Sequence, residues 1–258
     1  MPAHLYPKTL EVQPGSDETV LLQQVRQSFS FPFVVKPDVG MKGILFRKIE
    51  NEEQLLKYHR YMPAPYLIQT FVNLPYEVSV FYCRLPHKKR GTITAVIQKN
   101  LLEVTGNGRL TVLQLLQQKE GSEAWLPAIQ RQQGAQLETI LQNDETLCLS
   151  NVGNRMNGAT FINLTHQADA ALHQMFDDIS LASQFYYGRY DIKCASIDSM
   201  KRGEDFLILE FNGAGSIPNH IYTGGFSLGQ AYAEVVKHWK ALYQISKANH
   251  LSGVAYWS

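Results

Sequence analysis

The sequence has few cysteines and lacks both a long apolar run and a leader-like start. Its three cysteines, Cys83, Cys148 and Cys194, are scattered without a C-x-x-C pair, which argues against a disulfide framework. No stretch is long enough to span a bilayer, and residues 1–15 lack the apolar segment of a signal peptide. We therefore expect no membrane association and a reducing, cytoplasmic location.

An excess of charge of either sign is also missing. The chain carries 24 Lys and Arg against 23 Asp and Glu, a formal net charge of +1. A broad basic surface is the usual feature of a nucleic-acid-binding protein, so we expect no nucleic-acid partner. The 258 residues, 45% hydrophobic and 18% charged, indicate a globular protein of one large domain or two small ones.

The pattern of apolar residues predicts a mixed order of helices and strands. Residues that can cap a helix precede four of the predicted helices: Asp17, Asn51, Thr111 and Ser227. A fifth helix is predicted over 167–186. Strands are predicted at 31–36, 44–49, 66–72, 76–84 and 92–98, and a hairpin follows the fifth helix. This order predicts an α+β fold with two sheets.

The hairpin carries polar side chains at one end. Residues two apart in an extended strand share a face, so Arg189, Asp191 and Lys193 project together, as do Glu210 and Asn212. A polar linker, 198–205, separates the two strands.

The register of this hairpin decides whether the two sets meet. A ladder symmetric about residues 200–201 places Asp191 opposite Glu210 and Arg189 opposite Asn212. A slip of one residue would send the two sets to opposite faces.

In the first register, two carboxylates, an amide oxygen and two cations form one patch. Carboxylate and amide oxygens are hard ligands that suit Mg²⁺, and the cations Arg189 and Lys193 suit phosphate oxygens. The alternative is a hairpin with ordinary surface charges, which are common at exposed strand ends.

The motif Arg-x-Asp followed by Leu-Glu-x-Asn and, six residues later, Pro resembles the C-terminal metal-binding signature of ATP-grasp enzymes, which include D-alanine–D-alanine ligase and cyanophycin synthetase. The resemblance implies that Asp191, Glu210 and Asn212 hold Mg²⁺, with two ions expected and Mn²⁺ as an alternative. It also implies that Arg189 steadies the transferred phosphoryl group of ATP, with Lys193 as the neighbouring cation.

A lysine at a strand end precedes a loop with two glycines, Lys36 to Gly43. Gly40 and Gly43 would let backbone N–H groups approach phosphate oxygens, although such loops are often solvated turns. The segment resembles the Lys-Pro-x-x-Gly-x-x-Gly loop of ATP-grasp proteins. That resemblance implies a phosphate contact for Lys36, with Lys42 as a second candidate.

The segment 66–72, followed by a strand that opens at Glu77, resembles the adenine hinge and ribose-binding glutamate of the same family. The alternative is a plain connection with a solvated glutamate. The hinge residues implied are Gln69, Thr70, Phe71 and Val72, and Gln69 stands where many members carry Glu. Lys99 precedes a Gly-Asn-Gly turn, an arrangement that resembles the basic residue and Gly-Asp-Gly turn of the cyanophycin-synthetase type. That resemblance implies a phosphate contact for Lys99.

Two further segments bear on the substrate. Residues 151–165 loosely resemble the Asn-…-Gly-Gly-Thr stretch of cyanophycin-synthetase relatives, in which Arg155 would bind a substrate carboxylate or the acyl phosphate. Residues 218–222 follow the metal-binding strand and are candidates to line the acceptor site. We expect His220, within them, to be a surface residue.

Together these segments predict an ATP-grasp fold with two lobes, 1–68 and 69–258, and with the nucleotide between two antiparallel sheets. Most ATP-grasp ligases have a separate N-terminal domain, and only thirty-five residues precede Lys36. We therefore expect a compact member of the family, a fragment, or a protein that forms a homodimer or binds a partner supplying that domain.

The predicted function is ATP- and Mg²⁺-dependent joining of a small-molecule carboxylate to an amine, or to a thiol, through an acyl phosphate. The alternatives are an ATP-binding module that no longer ligates alone and an ATP-grasp kinase.

Overall fold

The chain forms two compact units. The computed structural model describes residues 2–40, 43–150 and 153–255. One unit comprises Tyr6–Asn73, and the other comprises Met1–Leu5 together with Leu74–Ser258. Both contain antiparallel sheets and helices, which confirms the predicted α+β class. Lys42, one of the predicted phosphate contacts, lies outside the described residues.

The smaller unit is a four-stranded antiparallel sheet with two helices, ordered β1-β4-β2-β3. Its elements are β1 (Thr9–Val12), α1 (Glu18–Ser28), β2 (Phe33–Pro37), β3 (Arg47–Ile49), α2 (Glu52–Tyr61) and β4 (Tyr66–Thr70). The predicted caps are confirmed, since Asp17 accepts hydrogen bonds from the first turn of α1 and Asn51 from that of α2. These carboxylate and amide oxygens satisfy N–H groups that the helices leave unpaired.

Apolar residues of both helices cover one face of this sheet. Leu21, Val25 and Leu55 pack against Phe33 and Ile68, and all five are almost fully buried. This packing holds β2 and β4 side by side in the middle of the sheet.

The strand predicted over 44–49 is wrong in its first half. Only Arg47–Ile49 forms a strand. Gly43 and Leu45 both adopt positive φ angles, and the Phe46 N–H donates to the Gly43 carbonyl. A left-handed turn therefore occupies the positions where an extended strand was expected.

The larger unit is built on a five-stranded sheet. Its elements are β5 (Tyr76–Cys83), β6 (Thr92–Asn100), β7 (Glu103–Thr105), α3 (Val112–Gln117), α4 (Leu126–Gln133), β8 (Thr146–Cys148), β9 (Thr160–Asn163), α5 (Ala170–Ser183), β10 (Tyr187–Cys194), α6 (Ile197–Lys201), β11 (Phe206–Asn212) and α7 (Leu228–Leu251). The main sheet has the order β11-β10-β5-β6-β9, and β7 pairs with β8 in a separate ribbon. Among the described residues, no helix is both long and apolar enough to cross a membrane.

Helices cover both faces of the five-stranded sheet. On one face, Leu172 and Phe176 of α5 pack against Val78, Val80 and other strand residues. On the other face, Ile245 of α7 belongs to a second cluster. The helix predicted over 167–186 is shorter than expected, because it begins after the capping Asp169 and ends before Gln184, which adopts a left-handed conformation.

The hairpin of β10 and β11 has the predicted register at its charged end. Arg189 pairs with Asn212 and Asp191 with Glu210, which confirms the expected ladder. Beyond Asp191 the register shifts by one residue, because Ile192 pairs with Ile208. The linker is not a plain turn, since it contains the short helix α6, capped by Ser196.

Candidate functional site

One face of the five-stranded sheet changes from apolar to charged along its length. At one end, Phe81, Ala95, Ile97 and Tyr187 form an apolar cluster with Ile245 of α7. Toward the other end, the same face carries the side chains Glu77, Ser79, Lys99, Arg189, Asp191, Glu210 and Asn212. Alternation along β5 explains the change, since Phe81, Ser79 and Glu77 are two residues apart and Val78 and Val80 face the opposite core.

Asp191 lies at the centre of this charged cluster and is only 6% exposed. Its Oδ1 accepts hydrogen bonds from Ser79 Oγ at 2.5 Å and from Lys99 Nζ at 2.9 Å. Arg189 Nη2 and Asn212 Nδ2 donate to its Oδ2 at 3.0 and 3.1 Å. Four different side chains thus hold one buried carboxylate.

The charge of Asp191 is balanced by two cations. Burial alone would raise the pKa of the Asp191 carboxyl, but the Lys99 ammonium and the Arg189 guanidinium hold that pKa well below its usual range. Asp191 is therefore ionised throughout the neutral and mildly acidic range.

Lys99 joins Asp191 to a second carboxylate. Its Nζ lies 3.2 Å from Glu77 Oε1 as well as 2.9 Å from Asp191 Oδ1. Burial opposes the charge on Lys99, yet Asp191 and Glu77 raise the pKa of its ammonium above the usual value. The sequence predicted Lys99 and Glu77 as nucleotide contacts, and the structure places both beside the predicted metal ligands.

Glu210 differs from Asp191, its partner across the ladder, because it is exposed. In the described part of the chain, no hydrogen bond or ion pair to its carboxylate is found. An accessible carboxylate opposite a buried one, with the Asn212 amide beside them, is a donor set of the kind that hard divalent cations accept.

The predicted ligand set contains only two carboxylates. Among the described residues there is no group of three or more His, Cys, Asp or Glu side chains that could hold a metal ion by themselves. A divalent cation at Asp191 and Glu210 would therefore need further oxygen ligands, such as phosphate or water.

Gly153 lies against the Glu77–Lys99 pair, a contact that sequence reasoning missed. A Cβ at this position would collide with Glu77 Oε1 and approach Lys99 Cδ to 2.9 Å. A larger residue at this position would have to displace the side chains of Glu77 and Lys99. Ser79 was also missed, although its position two residues after Glu77 was the available signal.

The predicted nucleotide contacts of the smaller unit form their own cluster. Lys36 Nζ donates to Gln69 Oε1 at 3.2 Å, and Gln69 Nε2 donates to Thr9 Oγ1 at 3.0 Å. Thr70 ends β4, and its N–H donates to the Lys8 carbonyl at 3.0 Å.

Phe71 and Val72 follow β4 without regular structure. Within the described residues, neither makes a backbone hydrogen bond, so their N–H and C=O groups are available to a ligand. Lys48 Nζ lies 4.9 Å from the centre of the Phe71 ring.

Arg155, the predicted substrate contact, and Lys193, the predicted cation beside Arg189, make no hydrogen bond or ion pair with the Asp191 cluster among the described residues. Arg155 is exposed, and its Nη1 donates to the Tyr222 carbonyl at 3.0 Å, which links two segments that the sequence associated with the substrate. Lys193 pairs across the ladder with Glu77 and is half-buried.

His220 is not the surface residue that we expected. It is 6% exposed, and its Nε2 lies 3.3 Å from Glu234 Oε2 on α7. Burial lowers the pKa of His220, although Glu234 opposes this effect. The prediction was wrong because His220 is covered by α7, a helix that is distant from it in the sequence.

Comparison with known proteins gives structural matches but no sequence match. No protein-family model and no curated protein matches the sequence. Solved structures similar to it include a D-alanine–D-alanine ligase from Bacillus anthracis, with 14% identity and a TM-score of 0.47 over 97% of this chain and 63% of that one. The bifunctional glutathione synthetase from Pasteurella multocida matches with 15% identity and a TM-score of 0.43 over 95% of this chain and 34% of that one. The ATP-grasp ligase PsnB, complexed with a minimal precursor, matches with 11% identity and a TM-score of 0.44 over 93% of this chain and 55% of that one.

These matches extend over most of this chain, which spans only 34 to 63% of the length of these three proteins. Two of the three are named as ligases, and one of these two as an ATP-grasp ligase. Similarity at 11 to 15% identity concerns the fold alone, so the function has to be inferred from this chain's own residues.

Proposed function

We propose that this protein is an ATP-dependent ligase that joins a small-molecule carboxylate to an amine, or to a thiol, through an acyl phosphate. The observation that carries the proposal is the Asp191 cluster. It combines two facing carboxylates, an amide, the buried cation Lys99 and the partly exposed cation Arg189 on one sheet face, in the register that the sequence predicted for the charged end of the hairpin.

Within the proposal, Asp191, Glu210 and Asn212 hold Mg²⁺. A cation held by these three residues would offset the charge that develops during phosphoryl transfer. The donor chemistry fits, since Glu210 is accessible and Asp191 is ionised, while rotation of the Asn212 amide would turn its oxygen toward the cation. Mn²⁺, with similar ligand preferences, is the expected substitute.

Arg189 and Lys99 are the proposed phosphate contacts of the larger unit. Both stay protonated, and each already binds a carboxylate oxygen in a geometry that a phosphate oxygen can share. Such charged donors lower the barrier by positioning the phosphoryl group and by neutralising charge rather than by acid–base chemistry. Lys193, on the same face, is a further candidate.

In the smaller unit, Lys36 is the proposed phosphate contact and Phe71 and Val72 the adenine contacts. The unpaired backbone groups after β4 support the adenine role, since adenine offers one donor and one acceptor on a single edge. Gln69 positions the Lys36 ammonium, and Glu77 of the larger unit is the proposed ribose contact.

Arg155 is the proposed contact for the substrate carboxylate. The hydrogen bond from Arg155 to the Tyr222 carbonyl supports a role for the segment 218–222 in the same binding site. A homodimer, or a partner chain that supplies a further domain, and a cytoplasmic location are also part of this proposal.

The proposal is tested by Glu210→Gln, because Glu210 is exposed and its loss should barely affect stability. We expect amine-dependent ADP release, measured with ATP, Mg²⁺ and a panel of amino acids, to fall by about 100-fold or more. Glu123→Gln removes an exposed carboxylate far along the sequence from these ligands and is the matched control. Equal activity of Glu210→Gln and the wild type would remove the metal assignment.

Product analysis separates the ligase from its alternatives. A ligase yields an amide or thioester together with ADP and phosphate, a kinase yields a phosphorylated acceptor, and a binding module yields neither. Lys36→Ala should weaken ATP binding about tenfold, as expected for one lost charged hydrogen bond, while Lys57→Ala should not change it.

A further inference from the structure

The last helix, α7, has two apolar faces, and only one of them packs on the five-stranded sheet. The packed face includes Ile245, which is buried, and the half-buried Ala241 and Leu242. The second face consists of large apolar side chains that are 43 to 76% exposed: Leu228, Tyr232, Val236, Trp239 and Tyr243. We call these five residues the exposed strip.

The exposed strip lies along one side of the helix. Its residues follow one another at intervals of four, four, three and four. Because an α-helix turns by about 100° per residue, their directions fall within roughly 80° of each other. Alternating intervals of three and four are the pattern by which two helices pack side by side. Isolated apolar side chains are ordinary at a protein surface, whereas a continuous strip of them indicates a binding surface.

The inner part of the exposed strip is symmetric. From Tyr232 to Tyr243 the intervals are four, three and four, so the spacing is the same in both directions. An antiparallel copy of α7, centred between residues 237 and 238, would place Tyr232 opposite Tyr243 of the second copy. Val236 would lie opposite Trp239, so that a small side chain faces a large one. A twofold interface needs this property, since residue i contacts j wherever j contacts i.

The lysines beside the exposed strip fit the same arrangement. Lys240 and Lys247 are exposed along one edge of the strip. In the antiparallel register they lie opposite Val235 and Leu228, whose apolar surface the stems of lysine can cover. A parallel register would instead place each lysine level with its own copy and align the two helix dipoles. The charges therefore favour an antiparallel second copy.

The area of the exposed strip matches a weak but specific dimer. Its three aromatic side chains are 64 to 66% exposed and together offer about 400 Å². Leu228 and Val236 bring the strip to about 500 Å², so two copies would bury about 1,000 Å². Specific protein interfaces begin near that area, and the half-buried Val235 and Leu242 extend the strip toward the sheet. We therefore expect a dimer that dissociates in the micromolar range.

We propose that the exposed strip of α7 is a dimerisation surface, on which a second copy of this chain docks its own α7 in the antiparallel direction. The inference rests on the homodimer included in the proposed function and names its surface. It does not depend on the ligase chemistry.

The test is sedimentation equilibrium of the full chain between about 1 and 200 µM. We expect a monomer–dimer equilibrium for the wild type. Trp239→Glu, which places a charge at the centre of the interface, should raise the Kd at least ~100-fold. Val20→Glu is the matched control, because it also replaces an exposed apolar helical residue, 52% exposed on α1, by glutamate. A wild type that is monomeric over the whole range, or an equal Kd for the two variants, would overturn the inference.

Disulfide cross-linking tests the direction of the two helices. In a Cys148→Ser background, which removes the exposed native cysteine, Leu228→Cys mixed with Lys247→Cys should form a linked dimer under mild oxidation. Each variant alone should not, because the two copies of residue 228 would lie about 28 Å apart along antiparallel helices. A mixture no more cross-linked than either variant alone would contradict the proposed register. So would cross-linking of each variant with itself, which indicates parallel helices.

These outcomes are distinct from those that test the ligase. A monomeric wild type that releases ADP in the presence of an amine would overturn the dimer and leave the ligase activity standing. A dimer that Trp239→Glu dissociates, in a protein without ATP turnover, would support the inference and overturn the ligase.

Discussion

Two buried aspartates of the larger unit differ in what holds them. Asp191 is 6% exposed and Asp177, on α5, is 4% exposed. Asp177 accepts hydrogen bonds from two neutral donors, the Tyr82 hydroxyl and the Gly91 N–H. Asp191 instead contacts two cations, Lys99 and Arg189. The two aspartates therefore differ in the charge of their hydrogen-bond partners, since Asp191, unlike Asp177, is bound directly by two cations among the described contacts.

The largest effect is expected from Asp191→Asn, which keeps the shape of the side chain and removes its charge. Lys99 and Arg189 would lose their shared partner, and we expect the free energy of unfolding at pH 7 to fall by about 3 kcal/mol. Urea denaturation measures this. Lys99 keeps Glu77, and Arg189 is 22% exposed, which limits the loss. A change below about 1 kcal/mol would show that the cations do not depend on Asp191 for stability.

Low pH should reduce the difference in unfolding free energy between the wild type and Asp191→Asn. The pKa of Asp191 is lower in the folded protein than in the unfolded chain, where it is ~3.9. The stability that ionised Asp191 contributes is therefore complete above the unfolded pKa and is lost as the pH falls toward the folded pKa. We expect the gap between wild type and Asp191→Asn to stay constant from pH 8 to about pH 4.5. It should shrink by about 2 kcal/mol by pH 2.5. A constant gap over the whole range would contradict the lowered pKa.

Asp177→Asn should have a smaller effect, because an amide oxygen can still accept from Tyr82 and Gly91. We expect a loss of about 1 kcal/mol from weakening two charge-assisted hydrogen bonds. Metal and nucleotide binding should be unchanged, as measured by thermal unfolding with ATP and Mg²⁺ together. If Asp177→Asn destabilises the protein more than Asp191→Asn does, charge compensation is not what distinguishes the two aspartates.

Much of the candidate site could be predicted from local sequence. The period of a strand places Arg189 and Asp191 on one face, and a ladder symmetric about residues 200–201 predicts their pairing with Asn212 and Glu210. That ladder holds only at the charged end, because the register shifts between Asp191 and Ile192. Helix caps such as Asp17 were equally predictable, since a cap depends on three or four adjacent residues.

The burial of Asp191 could not be predicted in the same way. Its contact with Lys99 depends on β5 lying between β6 and β10, which is a property of the strand order and not of any segment. The alternation of residues along a strand likewise predicted neither the register shift beyond Asp191 nor the helix α6 within the linker. Gly153 was missed because a close approach between distant segments leaves no local signal.

We expect the smallest change in unfolding free energy at an ion pair whose atoms are close together but exposed to solvent. Arg60 binds Glu18 through two hydrogen bonds of 2.7 Å in the smaller unit, shorter than the contacts of Asp191 with Lys99 and Arg189. The Arg60 side chain is 64% exposed, so water and salt already satisfy both charges. We expect Glu18→Gln to leave the urea midpoint unchanged within error. If Glu18→Gln lowers the free energy of unfolding as much as Asp191→Asn does, the distance between the charged atoms determines the stabilisation by these ion pairs. If it causes no loss, burial is the property that makes the ion pairs of Asp191 stabilising.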